Sequence, residues 1–348
     1  MRAALYTGFG EPVEVAEVSD PLPGDDDVIV RVMATGVCRS DWHGWQGHDP
    51  DIRTFPHVPG HEMAGVVETV GQNVVGWESG DRVTVPFVAG CGRCELCQKG
   101  EPQVCADQSQ PGFTHWGSFA ELVRVRHAQH NLVRIPDGFG FAEAAVLGCR
   151  FSTAYRAVIE QGAVQPGEWV AVYGCGGVGL SAVMIAAAAG ASVIAIDTNP
   201  AALELARSLG GAHKVASSRK VSTQVLDISS GGVHVAIDAI GDAGVVASSI
   251  ASLRPKGRHI QVGLLAGQEV PVRLDRLIGQ ELELLGSHGI AAASFPAMFD
   301  LITSQSIDVR SLVGQQITLE EGARLLETLD DRTEPGMAVI TGFQASGN

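Results

Sequence analysis

Short runs of apolar and alternating residues, separated by glycine and proline clusters, fill the first part of the chain: 1–7 (MRAALYT), 13–18 (VEVAEV), 27–37 (DVIVRVMATGV), 63–71 (MAGVVETVG), 81–86 (DRVTVP) and 121–126 (ELVRVR). Such runs predict short strands, and so a β-rich, barrel-like unit over residues 1 to about 150. From about 151 the texture changes. Apolar runs at 169–174, 192–197, 213–216, 233–238, 258–263 and 282–287 alternate with helical segments, which predicts a doubly wound parallel sheet over 151–289. Beyond about 290 both signals weaken and a β-turn texture returns, so 290–348 is expected to pack back on the first unit. The fold class is therefore α/β plus β, with no internal repeat and no low-complexity linker.

A length of 348 residues allows two cores. The longest relevant apolar stretch, 183–196, is interrupted by Gly190 and Ser192 and falls short of a bilayer span, so a soluble chain without a membrane partner is expected. The formal charge is −15, from 39 acidic and 24 basic residues, and no Lys/Arg cluster offsets it. Nucleic acid is thereby disfavoured as a partner. The acidic excess itself needs no explanation beyond solubility.

Cys91, Cys94, Cys97 and Cys105 stand in the segment CGRCELCQKGEPQVC. That spacing lets four thiolates close a tetrahedron around one zinc ion. The first three also match the start of an iron–sulfur run, but the fourth comes too late, no proline follows it and no second set is present. Zinc is preferred. Disulfides are disfavoured because the chain has 7 Cys, an odd number, and its opening MRAALYTGFG lacks a basic start followed by an apolar core. A reduced, cytoplasmic protein is expected.

The segment WVAVYGCGGVGL (169–180) ends one predicted strand and opens a helix. Gly174, Gly176 and Gly179 form G-x-G-x-x-G, which permits a tight turn, close approach of backbone to a pyrophosphate and packing of helix on strand. The next strand ends in Asp197, about 20 residues on, where a carboxylate accepts from ribose hydroxyls. That carboxylate repels a 2′-phosphate, and Thr198, Asn199, Pro200, Ala201 and Ala202 bring no cation to neutralise one. NAD is expected over NADP. Expected cofactor contacts also include Gly177 and Val178 of the loop, together with Ile240 and Val262, while Cys175 is read as a small filler.

Cys38 in GVCRSD, His61 and Glu62 in PGHE, and Cys149 in LGCRFSTAY remain after the four-cysteine segment is set aside. Taken singly, each has an ordinary packing explanation. Together with the glycine loop and the zinc lobe, and in this order, they resemble the zinc-dependent medium-chain alcohol dehydrogenases over essentially the whole chain. The stretch GFTHWGSFAE is similar to the yeast and bacterial, typically tetrameric, branch.

The resemblance implies a GroES-like β-barrel catalytic domain (1–150, with the structural zinc lobe at about 91–105), a Rossmann domain (151–289) and a C-terminal return (290–348). It implies two zinc ions per chain, the catalytic one on Cys38, His61 and Cys149 with a fourth position open for alcohol or water. Asp41 would orient His61, and Glu62 would sit behind the metal as an alternate ligand. Ser40 and His43 would relay the alcohol proton, Arg39 would bind the pyrophosphate, and Thr153 would lie beside the nicotinamide. The implied reaction is reversible hydride transfer between a primary or secondary alcohol and NAD, in a homo-oligomer, with a tetramer favoured over a dimer.

Two positions depart from the family. Arg150 follows the third ligand where a small residue is common, and Met337 or Ala338 stands where relatives carry a second cation for the pyrophosphate, which lowers the expected NAD affinity. Trp42, Trp45, Phe87 and Trp116 are expected to line an apolar pocket, although core or interface packing would also account for some of them. A polyol, threonine or hydroxyacyl dehydrogenase on the same scaffold, and a catalytically silent zinc-binding relative, are the competing readings. The ligand cysteines disfavour zinc-free quinone or enoyl reductases.

Overall fold

The computed structural model describes residues 1–265, 267–331 and 334–343. The first half supplies β1 (Arg2–Leu5), β2 (Glu14–Glu17), β3 (Val28–Val37), β4 (Glu62–Val70), β5 (Arg82–Thr84), β6 (Leu122–Val125) and β7 (Val133–Arg134). The second half supplies β8 (Trp169–Tyr173), β9 (Ser192–Asp197), β10 (His213–Ala216), β11 (Val233–Asp238), β12 (Leu253–Gln261) and β13 (Glu283–Gly286). The C-terminal stretch adds β14 (Val313–Thr318) and β15 (Met337–Gly342).

The second-half strands form one sheet in the order β10-β9-β8-β11-β12-β13, parallel throughout. Helices cover both faces, so Val170, Ala171, Val172, Val193, Ile194 and Ala195 are all buried. A strand buried on both sides reads as a continuous apolar run, which is why the central strands β8, β9 and β11 were legible. β12 begins at Leu253, earlier than the apolar run at 258–263 suggests. Pro255, Gly257 and the intervening cations masked its start, and the ladder to β11 is irregular there.

In the first half β3 is the organising strand. One edge pairs with β4, while the other is divided between β6 at its beginning and β15 at its end, which splays the sheet around a core containing Val30, Val67, Phe119 and Ile340. Through β15 the C-terminal stretch returns to this sheet, with Ala338 opposite Val37. That stretch is more helical than its turn-rich texture suggested. Phe295–Ser304 buries Phe295, Met298, Phe299 and Ile302 on one face, and Leu319–Glu327 is capped by Thr318 and Glu321.

A continuous helical run from Phe141 to Gln161 crosses position 150 without a break, with widened π turns at Leu147–Phe151 and Arg156–Gln161. It shares one hydrophobic core with Ala34 and Ala64 of the first sheet and Val172 and Ile237 of the second. The metal ligand candidate Cys149 sits in the first of these widened turns, a feature often found at functional sites. No helix among the described residues is long and apolar enough to cross a membrane.

Candidate active site

Cys38 leaves β3 and opens the helix Arg39–Trp45, His61 and Glu62 begin β4, and Cys149 faces them from the widened turn. One ligand atom from each lies within 4.8 Å of all the others, and all four residues are buried. Asp41 fixes the arrangement. Its Oδ2 accepts the Cys38 N–H at 3.0 Å, and its Oδ1 accepts the Gly60 N–H at 3.0 Å and pairs with His61 Nδ1 at 2.8 Å. This bond makes Nδ1 the donor and leaves Nε2 as an acceptor. Nε2 is buried and has no hydrogen-bond partner among the described residues. A buried, unsatisfied ring nitrogen beside two thiols is costly unless a cation completes it, so the donor set fits zinc.

The acidic groups around the ring also favour positive charge at this position. A hydrogen bond from Cys149 holds Cys38 well below the usual thiol range, against the opposing effect of burial and with help from His61, while Cys149 is pushed up. Burial alone would lower His61, but the Asp41 carboxylate outweighs it and holds the ring well above its ordinary value.

The four-cysteine segment forms a second set, also within 4.8 Å. Cys94 and Cys105 sulfurs are 3.7 Å apart and those of Cys91 and Cys97 4.0 Å. Four sulfurs at ~2.3 Å from a central zinc lie about 3.8 Å from one another, so these separations suit a shared ion and exceed any disulfide. Backbone N–H groups of Arg93 and Cys94 draw Cys91 down to about 6.

At the nucleotide loop, a Cβ on Gly179 would lie 1.7 Å from the Gly174 carbonyl oxygen, so only glycine permits this helix to approach the strand so closely. Helix Gly177–Ala188 starts here, presenting N–H groups to an anion, and Val178 packs on the main core. Asp197 accepts from the N–H groups of Cys175 at 2.6 Å and Asn199 at 2.7 Å, which ties the loop to the end of β9. Cys175 is buried, and burial pushes its thiol up to about 12, as befits a filler. Ile240 packs against Gly174, and Val262 donates to the Asp238 carbonyl at the same end of the sheet. Arg219 and Lys220 follow β10, whose next residue Ser217 donates to the Asp197 carbonyl, a neighbourhood that the residues directly after Asp197 do not reveal.

Ser40 Oγ lies 3.8 Å from Cys38 Sγ, and Thr153 Oγ1 is buried with no hydrogen-bond partner among the described residues. His43 Nδ1 meets His48 Nδ1 at 3.1 Å, a contact that sequence spacing did not single out. Burial, then His48 and Arg39, lower the His43 pKa. Arg39 is paired with Asp330 at 2.5 Å and lies over Trp42. Of the four aromatics expected at the pocket, Phe87 stands beside His61 with ring centroids 5.9 Å apart. Trp45 belongs instead to the first-half core, its indole N–H satisfied by the Glu11 carbonyl at 2.7 Å. Trp116 donates to Pro56, and Trp42 lies against His43. Phe113, 5.2 Å from His61, and His288, stacked edge-on to Phe87, are additional neighbours that only tertiary structure brings in.

Arg150 is buried and grips Glu62: its backbone N–H and Nε reach Oε1 at 3.0 and 2.8 Å, and its Nη2 pairs with Oε2. Burial disfavours a charged guanidinium, but the Glu62 carboxylate overrides it and holds Arg150 above its ordinary range. Met337 and Ala338 are buried in β15, with Met337 beside Gly177.

Known proteins resemble this chain over most of its length. Residues 24–137 match the alcohol dehydrogenase GroES-like domain, and residues 177–304 match the zinc-binding dehydrogenase family. An alcohol dehydrogenase of Geobacillus stearothermophilus is 36% identical over 288 residues, covering 82% of this chain and 84% of that protein. An S-(hydroxymethyl)glutathione dehydrogenase of Escherichia coli O1:K1 / APEC is 32% identical, covering 92% and 94%. The structure of the alcohol dehydrogenase from Thermus sp. ATN1 superimposes with a TM-score of 0.90 at 31% identity, over 99% of this chain and 100% of that one.

Proposed function

The chain belongs to the zinc-dependent medium-chain alcohol dehydrogenase family, and from that premise we propose that it is an NAD-dependent enzyme interconverting a primary or secondary alcohol with its aldehyde or ketone. The observation that carries this reading is the convergence of Cys38, His61 and Cys149 together with the buried, unpartnered His61 Nε2. These three residues would hold the catalytic zinc, and Cys91, Cys94, Cys97 and Cys105 the structural one. When bound, zinc supplies Lewis acidity at an open coordination position, and NAD supplies the hydride acceptor.

The chain's own residues do the rest. Asp41 holds the His61 tautomer and orientation. The Ser40 hydroxyl, next to the metal set, takes the alcohol proton and passes it outward, and His43 receives it on the way to solvent. Phe87 and Phe113 exclude water beside His61 and favour an apolar substrate. Thr153 would present its unpaired hydroxyl to the nicotinamide, Gly174 to Gly179 would cradle the pyrophosphate with help from Arg39, and Asp197 would select NAD. Ile240 and Val262 would flank the cofactor.

The working division is a catalytic domain at 1–150, a nucleotide domain at 151–289 and a catalytic-domain return at 290–348. A homo-oligomer, with a tetramer favoured, and a reducing cytoplasmic setting complete the reading. A panel of alcohols, polyols, threonine and hydroxyacyl substrates with NAD and NADP, followed by absorbance of the reduced cofactor, tests it. Best turnover with apolar alcohols and NAD supports it, and no reduction with any alcohol refutes it.

A further inference from the structure

Four side chains, not three, converge on the candidate catalytic metal position. Glu62 offers a carboxylate oxygen within 4.8 Å of the ligand atoms of Cys38, His61 and Cys149. Four protein ligands make a closed, structural site, whereas catalysis requires three and an open position. Which kind this is depends on what restrains Glu62. Both its oxygens are turned onto Arg150, which engages them with its backbone N–H, Nε and Nη2.

The surroundings are shaped around this pair. Gly36 lies opposite Glu62 in the β3–β4 ladder, and a Cβ there would lie 2.2 Å from Glu62 Oε2 and 2.6 Å from Arg150 Nη2. At the other end of the side chain, a Cβ on Gly177 would lie 2.4 Å from Arg150 Cδ. Glycine on both sides gives the arginine a fitted channel running from the carboxylate to the first residue of the nucleotide-loop helix. Charge also requires it. Two thiolates balance one divalent metal, so a buried Glu62 carboxylate would be uncompensated without a cation of its own.

We propose that Arg150 is a positioning residue that latches Glu62 away from the metal, keeps the fourth coordination position open, and buttresses the nucleotide loop through Gly177. The latch rests on the reading that Cys38, His61 and Cys149 hold a metal. It also places a positively charged side chain against Gly177 at the start of the nucleotide-loop helix.

The test uses the full-length protein loaded with cobalt, whose visible bands report coordination, and titrates the open position with imidazole. Cys38→Ser protein loaded in the same way supplies the background from the four-cysteine set, which has no open position. In the unmutated protein imidazole shifts the cobalt bands saturably. In Arg150→Met, Glu62 takes the open position, and imidazole binding weakens about 10- to 100-fold, the range typical of losing a group behind the metal ligands. Arg150→Met/Glu62→Gln removes the competing carboxylate and its buried charge together, and restores imidazole binding. Should Arg150→Met fail to fold, Arg150→Lys carries the test, because a single ammonium cannot grip both oxygens and imidazole binding weakens again. NADH fluorescence titration of the double variant reports the loop end of the latch as weaker NADH binding with imidazole affinity intact.

Unchanged imidazole affinity in the single variants, or no recovery in the double variant, overturns the latch. NADH affinity unchanged in the double variant overturns the buttress. Absence of cobalt bands above the Cys38→Ser background in the unmutated protein overturns the metal reading and the latch with it.

Discussion

Asp41 Oδ1 stands 2.8 Å from His61 Nδ1, with both side chains fully buried. The contact occupies Nδ1 and leaves the buried Nε2 for the metal proposed at Cys38, His61 and Cys149, so Asp41 would act on that position without touching it. Asp41→Asn keeps the shape and loses the charge. The expected result is release of one zinc equivalent to a chelator about 10- to 100-fold faster, with the other equivalent unaffected. Equal release kinetics in the variant would show that the carboxylate is only packing.

The two donor sets share no residue, and each is complete for its role, so freshly purified protein is expected to hold two zinc ions per chain. Cys94→Ser should chiefly lower the melting temperature, since a structural site contributes folding free energy directly. Metal analysis that returns one equivalent or none would contradict this, as would unchanged thermal unfolding in Cys94→Ser.

The proposed NAD preference would depend on Asp197, whose carboxylate is already oriented by the Cys175 and Asn199 N–H groups. Asp197→Gly should narrow the ratio of kcat/KM for NAD over NADP by raising the NADP value. Equal efficiency with both cofactors in the unmutated protein would mean that a 2′-phosphate is held by other groups, with Arg219 and Lys220 the first to replace.

Proton transfer gives a pH signature. A protonated His43 cannot accept a proton, so alcohol oxidation should fall as pH drops through its pKa, which burial, His48 and Arg39 place below the ordinary histidine value. His43→Gln should remove that inflection and cost less than the ~10²- to 10⁴-fold typical of a positioned acid–base group, because water replaces a terminal relay member. Ser40→Ala should cost more, since it breaks the link nearest the substrate oxygen. An unchanged rate and pH profile in Ser40→Ala would remove the relay from the account.

Much of this was legible in sequence because the chemistry is written in residue types at fixed spacing. The four cysteines at 91–105 and the glycine loop stand close together in the chain, and the strands of the parallel sheet announce themselves as apolar runs bounded by turns. What depends on tertiary approach was not legible. Phe113 and His288 reach the site only through folding, Trp45 was indistinguishable from a pocket residue until its indole N–H found Glu11, and Arg150 read only as a departure from the family, because Glu62, Gly36 and Gly177 surround it only in the folded chain. The helix Phe295–Ser304 was hidden for a local reason. Pro296 occupies the first turn of its helix, where proline is tolerated, yet in sequence it reads as a turn.

The most direct test of the central claim is NAD reduction by an apolar alcohol, measured side by side for the unmutated protein and for Cys38→Ser, with circular dichroism of both. The account predicts steady production of reduced cofactor by the first, a loss of turnover to near background in the second, and matching spectra. Turnover that survives Cys38→Ser with the fold intact would contradict it, because the reaction would then not depend on the metal set around His61.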